Sequence, residues 1–164
     1  ACLGRRGAAV ESLEKSGAEV VRCRGLDDRE ALRIAAAEKD VVFHVAGATR
    51  AIGASRLFRV NEEGTRNVAA ACASQARPPV LVFVSSLAAA GPAVDGRPRR
   101  ETDPPRPVSH YGRSKLAGEN ALRDFAQTVP ATIVRPAVVL GPADIVGTVG
   151  EGGAELPVLV AAEH

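Results

Sequence analysis

Apolar positions along the chain fall into two alternating textures. Short runs dense in Val, Ile and Phe stand at 18–23 (AEVVRC), 40–46 (DVVFHVA), 79–84 (PVLVFV) and 131–140 (ATIVRPAVVL), and they predict strands. The second and third are almost continuous in Val and Phe, as parallel strands covered on both faces are. Between them lie predicted helices. One covers 8–16, closed by Gly17. The next covers about 28–38, with Asp27 as N-cap and Glu30 three residues on in a capping-box pattern. A third spans about 55–76, before Pro78-Pro79, and a fourth about 110–127, before Pro130. Strand–helix alternation of these lengths predicts a doubly wound α/β fold with a parallel sheet.

Residues 91–108 (GPAVDGRPRRETDPPRPV) form a Pro-, Gly- and charge-rich loop between a strand and a helix. In an open parallel sheet such loops leave the carboxyl ends of strands and line the ligand crevice. The tail from Gly141 is rich in Gly, Val and Ala and suggests no definite element. The expected division is therefore 1–140 as one sheet domain and 141–164 as the start of a substrate region or an irregular tail.

With 46% hydrophobic and 24% charged residues and a net charge of +2, the chain is ordinary for a globular protein, which argues against nucleic-acid or membrane-surface partners. No apolar stretch approaches the roughly 20 residues that span a bilayer. Cys2, Cys23 and Cys72 are scattered in no metal-ligand or CxxC spacing, so they read as buried thiols in a reducing compartment, the cytoplasm. No metal site is expected, and His44 and His110 read as packed or crevice-lining residues. The chain contains no methionine and opens on what resembles the end of a strand, so it reads as a fragment.

Candidate chemistry concentrates in SHYGRSKLAGENAL, where Tyr111 and Lys115 stand at i and i+4 on one helix face. An ammonium one turn from a phenol favours the phenolate, drawing it from its reference pKa of about 10 towards working pH, as a general acid/base requires. Tyr111 is the only tyrosine, follows the long loop, and lies downstream of a strand ending in Ser85-Ser86. A hydroxyl of either serine at that strand tip can hydrogen-bond a substrate carbonyl or alkoxide.

Five segments carry a resemblance: VVFHVAGATRA (41–51), FRVNEEGTRN (58–67), VFVSSLAAAGP (82–92), PVSHYGRSKLAGE (107–119) and VRPAVVLGP (134–142). In this order and spacing the chain resembles the extended short-chain dehydrogenase/reductases, the NAD-dependent epimerase/dehydratase family. The resemblance implies a Rossmann-type sheet and a catalytic set of Ser86, Tyr111 and Lys115, with Ser85 as the alternative to Ser86. Lys115 would also bind the nicotinamide ribose. Val45, Ala46 and Gly47 would pass close to the cofactor, Asn61 would support the site, and Arg135-Pro136 would approach the nicotinamide end. Arg5 and Arg6 would fall after the family's second strand, where arginine suits the 2′-phosphate of NADP and an acidic residue selects NAD. They favour NADP, the alternative being a solvated basic turn. The resemblance also allows a homodimer.

The chain departs from this family in lacking the G-x-x-G-x-x-G phosphate loop after a first strand. GATRAIG at 47–53 is no substitute, because Arg50 stands where the middle glycine would admit a pyrophosphate and the spacing fits the fourth strand. The expected fold is therefore a Rossmann sheet lacking its first strand and most of the substrate region, which leaves residues 1–40 without a central strand to pair with. In RCRGLDD at 22–28, Gly25 replaces the family's adenine-contacting Asp. The function implied is NAD(P)-dependent hydride transfer at a carbon bearing a hydroxyl or carbonyl in a small-molecule substrate. Ketone reductase and nucleotide-sugar epimerase/dehydratase both remain open, with the arginines tilting towards reductase. A non-catalytic cofactor-binding module or inactive fragment is the alternative.

Overall fold

Six strands lie side by side in the order β2-β1-β6-β3-β4-β5 in the computed structural model, which describes residues 2–4, 14–15, 17, 19–50, 53–94, 96–137 and 159–162. They are β1 (Cys2–Gly4), β2 (Val20–Arg22), β3 (Val41–His44), β4 (Val80–Val84), β5 (Ala131–Val134) and β6 (Leu159–Ala162). The pairs β1·β2, β3·β4 and β4·β5 are parallel, as the alternating sequence predicts. The fourth predicted strand stops at Val134, and 138–140 lie outside the described residues.

The tail holds an element the sequence did not suggest. β6 runs antiparallel between β1 and β3, pairing Cys2 with Val160 and Val41 with Ala162. In the doubly wound order 3-2-1-4-5-6 this is the place of the first strand. β1 and β2 are therefore not left without a central strand, contrary to the sequence expectation. Two facing strand edges present rows of unpaired N–H and C=O groups, and an apolar segment that pairs with both satisfies them.

Helices α1 (Arg29–Ala36), α2 (Ala54–Phe58), α3 (Gly64–Ala73), α4 (Leu87–Ala90) and α5 (His110–Arg123) complete the described fold. Of the predicted helix at 8–16, only 14–15 are described, and both are helical. α1 begins after Asp28 rather than Asp27, and no capping box forms. The Asp28 carboxylate turns back to the backbone N–H of Arg24, while Glu30 is taken by Arg33 in two hydrogen bonds of 3.0 and 2.7 Å.

Ala31, Leu32, Ala35 and Ala36 of α1 repeat at helical spacing and are buried with Val68, Ala69 and Cys72 of α3, Leu122 of α5, and Val42, Leu81 and Phe83 of the sheet. Coverage of the sheet is uneven. Along β3, Val42 and His44 are fully buried whereas Phe43 is 37% exposed. The nearly continuous apolar run therefore does not mean equal burial of both faces here, because one face carries the helical layer and the other is partly open.

α2 and α3 are joined without a break by one π-helical turn, Arg59–Glu63. Such a turn inserts one extra residue into a helix and rotates its side chains, frequently at functional positions.

Candidate active site

The carboxyl ends of β3, β4 and β5 deliver the predicted residues to one side of the sheet. Val45, Ala46 and Gly47 follow β3, Ser85 and Ser86 follow β4, and Arg135 and Pro136 follow β5. Beyond the strands the chain stays in register: Ser85 N–H donates to Val134 O at 2.7 Å and Leu87 N–H to Pro136 O at 3.0 Å. The crevice of an open parallel sheet opens at these ends.

α5 packs across them. Ser109 caps it, its Oγ accepting from Gly112 N–H at 2.9 Å. Two glycines allow the close approach. A Cβ on Gly112 would collide with the Ala88 carbonyl, and one on Gly118 with the Asn61 carbonyl. Tyr111, partly buried, lies in the first turn, and its hydroxyl has no hydrogen-bond partner among the described residues.

Lys115, one turn on, is only 3% exposed. Its Nζ donates to Val84 O at 2.8 Å and stands 4.3 Å from the centroid of the Phe83 ring, a cation–π contact. Burial pushes the ammonium down to about 8, against the opposing pull of Glu119.

Asn61, in the π-helical turn, is 1% exposed and uses its whole carboxamide. Oδ1 accepts from Ala48 N–H at 2.8 Å, and Nδ2 donates to Ala48 O and Ser114 Oγ, both at 2.9 Å. It thus joins the segment after β3 to α5, next to Lys115. Gly47 lies between: a Cβ there would sit 3.1 Å from Asn61 Oδ1 and 3.6 Å from Lys115 Nζ. Bare backbone, a buried ammonium and a fixed amide therefore converge.

The adjacent serines differ. Ser85 is buried and donates its hydroxyl to Glu119 Oε1 at 2.6 Å. Ser86 is partly exposed and caps α4, its Oγ accepting from Ala88 N–H at 3.2 Å. That leaves its O–H able to donate outward. Arg135 makes a bidentate pair with Glu119, Nε to Oε1 at 2.8 Å and Nη2 to Oε2 at 2.6 Å.

His44 is fully buried, stacked on Phe83 with ring centroids 5.1 Å apart. Its Nε2 lies 3.0 Å from Thr65 Oγ1, whose single proton goes to Asn61 O at 2.7 Å. Nε2 must therefore carry the imidazole proton, and Nδ1 is an acceptor without a hydrogen-bond partner. Burial, aided by the Lys115 charge, pushes the ring down to about 3, so it is neutral. This agrees with the expected packed histidine.

His110 is exposed, and Arg5 and Arg6 lie outside the described residues. No group of three or more His, Cys, Asp or Glu side chains able to hold a metal gathers among the described residues. Sequence reasoning missed Glu119 and Phe83. Glu119 was detectable in principle, being an acidic residue four positions after Lys115 on the same helix face. Phe83 reads only as core until the Lys115 contact is seen.

Fold and cluster define a Rossmann-type α/β domain with a polar site at the carboxyl ends of its strands, where nucleotide cofactors are held. The chain belongs to the NAD dependent epimerase/dehydratase family, whose profile matches residues 1–152. This is an NAD(P)-binding family of short-chain dehydrogenase/reductase-type enzymes. The chain is 39% identical over 105 residues to the ceramide reductase of Caulobacter vibrioides, covering 64% of this chain and 27% of that protein. It is 33% identical over 129 residues to the N-acetyl-alpha-D-glucosaminyl-diphospho-ditrans,octacis-undecaprenol 4-epimerase of Escherichia coli O157:H7, covering 75% and 38%. It thus spans well under half the length of these curated relatives. Among solved structures, a short-chain dehydrogenase/reductase superfamily protein from Agrobacterium tumefaciens with bound NAD aligns with a TM-score of 0.57 at 29% identity, over 78% of this chain and 44% of that one. Among the described residues no helix is long and apolar enough to cross a membrane.

Proposed function

We propose that the protein transfers hydride between NAD(P) and a carbon bearing a hydroxyl or carbonyl group in a small-molecule substrate, with Tyr111 as the acid/base. The convergence of Lys115 and Asn61 on Gly47, one helical turn from Tyr111 and beside the exit of β4, carries this reading.

The residues fit a nicotinamide cofactor. Lys115 has two ammonium protons beyond the one given to Val84 O, a donor set suited to a ribose diol. Val45, Ala46 and Gly47 would lie along the cofactor, with Gly47 bare beside that amine. Asn61 would hold this segment in place, and Arg135-Pro136 would border the nicotinamide end, with the Arg135 side chain acting through Glu119. When bound, the nicotinamide accepts or returns the hydride. Tyr111 Oη takes the carbinol proton in oxidation and gives it back in reduction. Ser86 donates a hydrogen bond to the same substrate oxygen, stabilising the charge that develops there.

Arg5 and Arg6 favour NADP over NAD and incline the reading towards a reductase rather than an epimerase. A ceramide reductase among the relatives supports that direction, while the 4-epimerase keeps the second within reach of the same centre. The Cys72 thiol, pushed up to about 12 by burial, is inert, which suits the proposed cytoplasmic setting. A homodimer is the proposed assembly.

In the whole protein, Tyr111→Phe should lower turnover by about 10²–10⁴-fold while NADPH affinity, followed by fluorescence titration, stays near wild type. Near-normal turnover by Tyr111→Phe would overturn the mechanism.

A further inference from the structure

We propose that Glu119 is a positioning residue, its buried carboxylate fastening the ends of β4 and β5 to α5 and thereby fixing where Ser86 and Lys115 stand. This rests on Ser86, Tyr111 and Lys115 forming the reacting centre.

The carboxylate is 0% exposed, and both oxygens are used. Oε1 accepts from Ser85 Oγ at 2.6 Å and Arg135 Nε at 2.8 Å; Oε2 accepts from Arg135 Nη2 at 2.6 Å and, more weakly, Arg123 Nη2 at 3.4 Å. Three chain segments are locked at one point: Ser85 directly precedes Ser86, Arg135 is the first residue after β5, and Glu119 is one turn past Lys115. An apolar side chain could fill the volume. It could not set the orientation, because the bidentate fork is planar and directional. A buried charge is tolerated only when so fully partnered. The clamp also occupies the Ser85 hydroxyl, leaving Ser86 to face outward.

Glu119 acts on Lys115 in a second way. The ammonium meets the Phe83 ring and the Val84 carbonyl from β4. On β3 stands His44, neutral; the π-helical turn contributes Asn61, also neutral; α5 itself carries Tyr111 one turn before and Glu119 one turn after. Glu119 is the anion that holds the ammonium up against the effect of burial, and it stays ionised at neutral pH. Burial alone would raise its own pKa, but hydrogen bonds from Arg135 and Ser85 and the charges of Arg135 and Arg123 bring it below the ordinary carboxylate value.

The test is made on the whole protein with ¹³C-labelled lysine, following the Lys115 side chain by NMR against pH alongside kcat and KM. Glu119→Gln should move the Lys115 midpoint downward and cut kcat about tenfold or more while KM changes less than about threefold, and Glu119→Asp should restore the midpoint. An unmoved midpoint with unchanged kcat would overturn the proposal. So would a kcat loss that leaves the midpoint in place. Should Glu119→Gln fail to fold, Glu119→Gln/Arg135→Gln removes both charges and leaves an amide pair. The same downward movement is expected there, and a wild-type midpoint counts against the proposal. The NMR readout needs no turnover. A failure of the catalytic reading, seen in Tyr111→Phe, is therefore distinguishable from a failure of the Glu119 clamp.

Discussion

Gly118 lies so close to Asn61 that a Cβ on the glycine would collide with the Asn61 carbonyl oxygen, with Phe83 Cζ at 3.2 Å and Thr65 Oγ1 at 3.3 Å. Helix propensity alone favours Gly118→Ala by up to about 1 kcal/mol. The contact reverses the sign. Because backbone blocks the new methyl, we expect Gly118→Ala to destabilise by about 2–3 kcal/mol, measured by urea unfolding. A gain in stability would mean α5 does not sit against the π-helical turn as described.

The two serines after β4 should separate stability from turnover. Ser85→Ala removes the hydroxyl held by Glu119 and should cost about 1–3 kcal/mol, with kcat within about threefold of wild type because the backbone bonds from Ser85 and Leu87 to Val134 and Pro136 still hold the end of β4 to β5, which Arg135 keeps on Glu119. Ser86→Ala should lower kcat by about 10²-fold, its stability loss confined to the α4 cap at about 0.5–2 kcal/mol. The opposite pattern in paired denaturation and steady-state measurements would transfer the substrate role to Ser85.

His44 makes the fold acid-labile. It is neutral when folded down to about pH 3, whereas an exposed histidine protonates near 6.5. Between those values the unfolded chain binds a proton that the folded one refuses, so stability falls as pH drops through this window. The full effect is on the order of 5 kcal/mol. His44→Gln keeps a donor for Thr65 without titrating. Its stability should lose this component of the pH slope between 6.5 and 3, as isothermal denaturation at stepped pH would reveal.

Lys115 gives the complementary case. Its folded value of about 8 lies below the ordinary 10.5, so the unfolded chain binds more protons between these values and stability rises with pH across that window. Below it, keeping a buried ammonium costs about 3 kcal/mol relative to an exposed one. Lys115→Met should consequently leave stability at pH 7 unchanged or up to about 2 kcal/mol higher, the advantage fading above pH 10, while turnover drops at least about 10²-fold. Severe destabilisation at pH 7 would show that the Val84 and Phe83 contacts outweigh the desolvation.

Local pattern made much of this legible. The runs at 40–46 and 79–84 became β3 and β4 because β-branched and aromatic residues flanked by turn formers favour a pleated, buried strand. The helix predicted from about 110 is α5, which opens at His110 behind the Ser109 cap because a hydroxyl satisfies free N–H groups. By contrast, the capping box at Asp27–Glu30 failed because Arg24 and Arg33 compete for Asp28 and Glu30, a choice that depends on side-chain reach.

The one-turn spacing of Tyr111 and Lys115, the serine pair ending a strand and the alternation of strands with helices were determined by sequence, since each depends on residue type and short-range periodicity. Tertiary structure alone decided which serine is free, that Arg135 is held by Glu119, that His44 is kept neutral, and that Leu159–Ala162 occupies the gap between β1 and β3. These outcomes depend on hydrogen-bond partners 16 to 34 residues apart, on desolvation by the assembled core, and on pairing between opposite ends of the chain. No local window of sequence contains them.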